Sequence, residues 1–255
     1  MRAGRPAAAQ RISLVTKLPF AIAIALVFNA LASQAASLQV QPAMLDIPAP
    51  GAASTITLRN AGTSPINVQV RIFKWSQSDG EERLESTEDV AASPPAVTLA
   101  PGTDYVARIV RVVKRPIMGE ETYRLLVDEL PISAEVKTNS VRLLIRHSIP
   151  VFFTASDRSP PAIDWGVSRR SDRIILSARN AGDSHLRISA VTLRDQAGRT
   201  VSFGSGLMGY SLGHSTMLWA TPGRIRGFAE SGSITISGQG NDGPFRASAA
   251  IGSTP

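Results

Sequence analysis

From residue 36 onward the chain is written in twos. In "INVQVRIFKW" the residues Ile66, Val68, Val70 and Ile72 hold one phase, and Asn67, Gln69 and Arg71 hold the other. That period belongs to a β-strand with one buried face, because alternate side chains of a strand point to opposite sides. The stretches "YVARIVRVV" and "YRLLVDEL" are rich in β-branched or aromatic residues, and turn signals separate such segments. These signals include "APGT" at Ala100–Thr103, "SDG" at Ser78–Gly80 and "SPP" at Ser93–Pro95. Beyond the N-terminus no stretch carries a helical period. Short strands punctuated in this way predict an all-β sandwich.

An internal echo supplies the domain count. "LRNAGTS" at Leu58–Ser64 returns as "ARNAGDS" at Ala178–Ser184, and in both places one strand pattern ends and another soon begins. Asn and Gly suit the positive-φ positions of a tight turn, which is the expectation here. A proline-rich break, "SDRSPPA" at Ser156–Ala162, falls between the copies. The reading is two sandwiches of similar plan, residues 36–154 and 155–255.

The N-terminus has a different character. Met1–Ala35 carries Arg2, Arg5, Arg11 and Lys17 and no acid, then the apolar run "AIAIALVFNALA", then the small-x-small sequence "SQA" ending at Ala35. This is the pattern of a secretory signal peptide spanning residues 1–35, and the apolar run is short of the roughly 20 residues that cross a bilayer. Without that segment 23 basic and 20 acidic residues remain, a net +3 with no basic tract, and aromatic residues are 5% of the chain. Such a surface argues against a nucleic-acid partner. The chain has no cysteine, although export to an oxidising compartment would permit disulfides. Burial alone must stabilise the fold, and thiol catalysis and cysteine-ligated zinc are excluded.

Little in the sequence suggests an enzyme, a metal site or a cofactor. His147, His185 and His214 are the three histidines, and no two share a ligand spacing, so each reads as a surface or edge residue. "GYSLG" at Gly209–Gly213 matches the G-x-S-x-G elbow around Ser211. That motif needs a following helix and a distant histidine, whereas His214 is three residues away. It reads as a glycine-rich loop.

Five segments, in order, resemble the periplasmic chaperones of the chaperone–usher pilus pathway. "LDIPAPGAASTITLRNAGTSPINVQVRIFKW" is similar to that family's opening strands, and "SPPAVTLAPGTDYVARIVR" to its segment ending in arginines, here Arg108 and Arg111. "ETYRLLVDELP" resembles the strand closed by Glu-hydrophobic-Pro, and "SVRLLIRHSIPVFF" the strand that acts on clients. "NAGDSHLRISAVTLRDQAGR" with the later "YSLGHSTMLW" follows the plan of its second domain. The resemblance implies two immunoglobulin-like β-sandwich domains in an L or boomerang arrangement. It implies pilin subunits and an outer-membrane usher as partners, the periplasm as location, and no cofactor, nucleic acid or small-molecule substrate.

It also implies a mode of action. Pilins lack a final strand, and the chaperone lends its own, chaperone–pilin complementation being a standard instance of β-strand addition. Here the lending strand would offer Val141, Leu143 and Ile145 to the client core. In the better-known branch two basic residues grip the client's terminal carboxylate. The matching places here are Pro42 and Pro150, a pattern that resembles the archaic-type branch, whose pilins resemble spore coat protein U. Arg124, Arg146 and His147 are then the candidate anchors, with a solvated strand face as the plain reading of both arginines. Core packing is the plain reading of the apolar triplet, and an exported adhesin or scaffold is the alternative function.

Overall fold

The computed structural model describes residues 37–131 and 143–253, and every regular element among them is a strand. The leader and Val141 lie outside the described residues. The first ten strands are β1 (Leu38–Gln41), β2 (Leu45–Pro48), β3 (Ala53–Asn60), β4 (Ile66–Ser78), β5 (Glu81–Ser86), β6 (Val90–Ser93), β7 (Ala96–Leu99), β8 (Asp104–Arg111), β9 (Glu120–Leu130) and β10 (Arg146–Thr154). They form a sheet of order β1-β3-β8-β6 and a second of order β2-β10-β9-β4-β5, with β7 also on β4. Alternation along β4 does what its sequence predicts: Ile66, Val68 and Val70 are buried and Ile72 packs beside them. They meet Ile56, Leu58 and Ile109 of the opposite sheet in one core. At roughly 1.5–3 kcal/mol for each buried aliphatic side chain, burial of this kind can stabilise a chain without disulfides.

The remaining strands are β11 (Ile163–Arg170), β12 (Arg173–Asn180), β13 (Leu186–Arg194), β14 (Thr200–Ser202), β15 (Leu207–Ser211), β16 (Ser215–Ala220), β17 (Ser233–Gly240) and β18 (Gly243–Ser253). Their order is β14-β13-β17-β18-β11-β12-β16, with β15 on β13, and they enclose a second core around Leu176, Ile188, Leu193 and Ile236. The two sandwiches are immunoglobulin-like.

The repeated Arg-Asn-Ala-Gly is built the same way twice, but not by positive φ. Neither asparagine and neither glycine of the two copies adopts it. Instead each asparagine is a buried amide that ties the end of one strand to the start of the next. Asn60 Nδ2 donates to the Ser64 and Leu99 carbonyls (2.8 and 3.0 Å), and its Oδ1 accepts from the Gly62 amide. Asn180 Nδ2 donates to the Ser184 and Ser211 carbonyls, and its Oδ1 accepts from Gly182 and Ala162. The glycine is required by a close approach. A Cβ at Gly182 would lie 2.0 Å from the Pro160 carbonyl oxygen. The motif therefore links strands that are not sheet neighbours and does not turn a hairpin.

One end of the first core holds a buried ionic group. Arg111 grips Glu121 with two hydrogen bonds, 2.7 and 2.9 Å, and both side chains are nearly enclosed. Burial pushes the Glu121 carboxyl up, yet the Arg111 guanidinium outweighs it and holds it below the usual range. A pair like this orients β8 against β9, because breaking it would strand a charge in the interior.

Candidate functional site

The margin formed by β10 is where the fold is left unfinished. On one side β10 pairs with β9 along its whole length, from Arg146 opposite Asp128 to Thr154 opposite Glu120. On the other side β2 covers residues 151–154 alone. Among the described residues no strand lies against the outer side of residues 146–150. In the facing sheet β1 is likewise the terminal strand. Among the described residues the sandwich is thus open along β1 and the first half of β10, with His147 Nε2 donating to the Leu38 carbonyl across it (3.0 Å). Pro150 sits where the open half begins, as suits a residue without an N–H.

Just before this margin come two exposed leucines in succession. Leu143 is 80% exposed and Leu144 41%, while Ile145 is half-buried with its carbonyl accepting from the Glu129 amide. The alternation there predicts a strand, but residues 143–145 form none and β10 starts at Arg146. The physical reason is that β9 reaches its end beside Ile145 and, among the described residues, no strand pairs on the outer side. Core packing is excluded for Leu143. An exposed apolar pair beside an unpaired strand edge is a surface ready to associate.

The three cationic candidates do not converge. Arg146 is largely exposed and hydrogen-bonds the buried Asp128, which also accepts from Arg71 Nη2 at 2.7 Å. Burial raises the Asp128 carboxyl, but hydrogen bonds from Arg146 and Arg71 hold it below its ordinary range. Arg124 lies farther along the same face, opposite Pro150. It is buried, not solvated: its guanidinium carbon sits 3.6 Å from the centre of the Trp75 ring, and Nη2 is 3.4 Å from Glu82 Oε1. His147, one residue from Arg146 on the strand, points to the opposite face. Arg71 and Asp128, which complete the group around Arg146, were not singled out by the sequence. A cross-strand register between β4 and β9 unites them, and no local motif marks it.

Trp75 belongs to a seam between the sandwiches. With Phe152, Tyr210 and Leu212 it forms a separate buried cluster, its ring edge-on to Tyr210 at 5.4 Å. Gln77 accepts from the Leu212 amide and donates to the Tyr210 carbonyl. His185 corrects its expected place on the surface. It is 7% exposed, stacked on Phe152 at 3.7 Å, with Nδ1 2.8 Å from Glu120 Oε2. Ser211 is no nucleophile elbow: it is fully buried and donates to the Ala178 carbonyl.

Residues 37–157 match the family model described as the pili and flagellar-assembly chaperone, PapD N-terminal domain. The first sandwich belongs to the pilus-assembly chaperones. Solved structures agree in fold. The chain is 25% identical to a chain of the CsuC–CsuE chaperone–tip adhesion subunit complex from archaic chaperone–usher Csu pili of Acinetobacter baumannii. That match covers 86% of this chain and all of the other, with a TM-score of 0.64. The CupB2 chaperone of Pseudomonas aeruginosa matches at 20% identity and TM-score 0.54, covering 84% of this chain and 100% of its own. A chain of the Salmonella enterica complex of SafA pilin with the SafB chaperone matches at 17% and 0.57, covering 85% and 98%. No curated protein sequence matches the chain.

Proposed function

We propose that this chaperone acts in the periplasm, after loss of residues 1–35, by lending β10 and the residues before it to pilin subunits and delivering them to an outer-membrane usher. The observation that carries the reading is the open half of β10 with Leu143 exposed beside it. Val141, Leu143 and Ile145 fill the client's incomplete core, and the backbone of residues 143–149 pairs with its strands. In this reading residues 36–154 hold the client and residues 155–255 form the second domain. The likeness to the chain from the archaic Csu complex supports placing it in the archaic-type branch. Hydrogen exchange tests the pairing: the backbone amides of residues 144, 146 and 148, which face away from β9, are expected to exchange freely in the free chaperone and to slow by orders of magnitude with pilin bound. Unchanged exchange in a stable complex would remove the strand-lending mechanism.

The client carboxylate meets Arg146, with Arg71 behind it, in place of side chains at Pro42 and Pro150. Among the sequence candidates, Arg146 is exposed enough to accept a second anion while paired to Asp128, and Arg124 is the deeper reserve. His147 serves the opposite face. A charge-assisted hydrogen bond is worth about 1.5–3 kcal/mol, so Arg146→Ala is expected to weaken client affinity roughly ten- to a hundredfold. Its melting temperature should stay near wild type, because the side chain is 61% exposed. Unaltered affinity in a calorimetric titration would move the anchor elsewhere.

A further inference from the structure

The far end of the second sandwich carries a cluster of arginines that the client margin does not use. The hairpin of β11 and β12 places Arg170 opposite Arg173 across a turn in which Ser171 holds φ 53°. A second loop is bound to this turn: the Ile225 amide donates to the Asp172 carbonyl, and Arg224 Nε pairs with the Asp172 carboxylate at 2.8 Å. Arg169 fastens the two, its guanidinium donating to the Ser171, Ile225 and Phe228 carbonyls. Five arginines, 169, 170, 173, 224 and 226, therefore meet two acids, Asp172 and Glu230. Arg170, Arg173 and Arg226 are exposed and have no ion-pair partner among the described residues.

We infer that this arginine tip docks on the anionic phospholipid headgroups of a membrane surface. The chemistry of its surroundings selects that occupant. A protein interface needs an apolar centre with a polar rim. None of the large apolar side chains exposed among the described residues lies in either loop, where Ile225 is half-buried and Phe228 is buried. What remains on show beside the guanidinium groups is proline and glycine, Pro222, Gly223 and Gly227. Guanidinium groups pair with phosphate in forked geometry. The tip is also remote from the client margin, since β11 runs from the linker at Ile163 to Arg170, about 25 Å of strand. Headgroup contact there leaves β10 open. The inference is independent of how clients are held.

Sedimentation with vesicles tests it, using protein purified after export. Vesicles containing phosphatidylglycerol should bind the chaperone and vesicles of phosphatidylcholine alone should not. Three free arginines imply a preference on the order of a hundredfold at low salt, fading near physiological salt as the screening length falls to about 8 Å. The combined Arg170→Gln, Arg173→Gln and Arg226→Gln variant should lose the preference. An equal loss of charge in the first sandwich, Arg59→Gln, Arg83→Gln and Arg108→Gln, should keep it. Absence of wild-type binding to phosphatidylglycerol at low salt overturns the inference, whether or not the tip then binds an acidic protein. So does equal weakening by both triple variants, which would make the attraction one of net charge.

Discussion

The Leu143→Asp protein is expected to melt with the wild type and to lose its pilin. In the free chaperone this side chain is in water, and substitutions at such positions change stability by about 0.5 kcal/mol or less. If the strand is lent as proposed, the same position lies inside the client in the complex, where an unpaired carboxylate costs several kcal/mol. Affinity should therefore fall on the order of a thousandfold or more, read as loss of co-purifying subunit. Leu143→Ala should fall in between, at roughly ten- to a hundredfold, the worth of one buried aliphatic side chain. If Leu143→Asp still holds pilin, strand lending through this residue is wrong. If it no longer folds, the side chain has a partner in its own domain.

The second large effect belongs to the seam. Trp75 is fully buried against Phe152 and Tyr210, with the Arg124 guanidinium on its ring and Thr122 donating to its carbonyl. Trp75→Ala is expected to cost about 3–5 kcal/mol, since it removes the largest member of a small cluster and leaves a cavity. For a protein of this size the melting temperature should fall by roughly 10 °C. Trp75→Phe should be much milder. The indole N–H has no hydrogen-bond partner among the described residues, so its removal leaves nothing unpaired. Scanning calorimetry checks both variants, and a loss below about 1 kcal/mol for alanine would mean that the seam does not form in solution.

These cases show which parts of the molecule were legible in its sequence. Strand β4 was, because burial in a sandwich imposes the same two-residue period on sequence and structure. The Arg-Asn-Ala-Gly repeat marked two equivalent places correctly, though for a different reason. Its asparagines act through side-chain amides, and Gly182 makes room for Pro160. The cationic group around Asp128 was opaque, because Arg71 and Arg146 are 75 residues apart and meet through two separate strand registers. His185 and Arg124 were misplaced on the surface for a related cause. Each is covered by the other sandwich, and alternation within one strand cannot report a neighbour of that kind. Residues 143–145 show the converse. Their alternation states what they can pair with, while the described residues of the free chain supply no such strand.

One strand joins the open margin to the seam. On the proposed function β10 offers its open half to a client, and two residues beyond Pro150 it plants Phe152 between Trp75 and His185. Reciprocity follows for any free energy passed along it. If ordering residues 143–145 on a subunit tightens the packing around Phe152, then loosening that packing must weaken subunit binding by the same factor. Trp75→Ala, made for stability, would then lower client affinity without touching a single client atom. The ratio of the two affinities would measure how far the strand behaves as one rigid member.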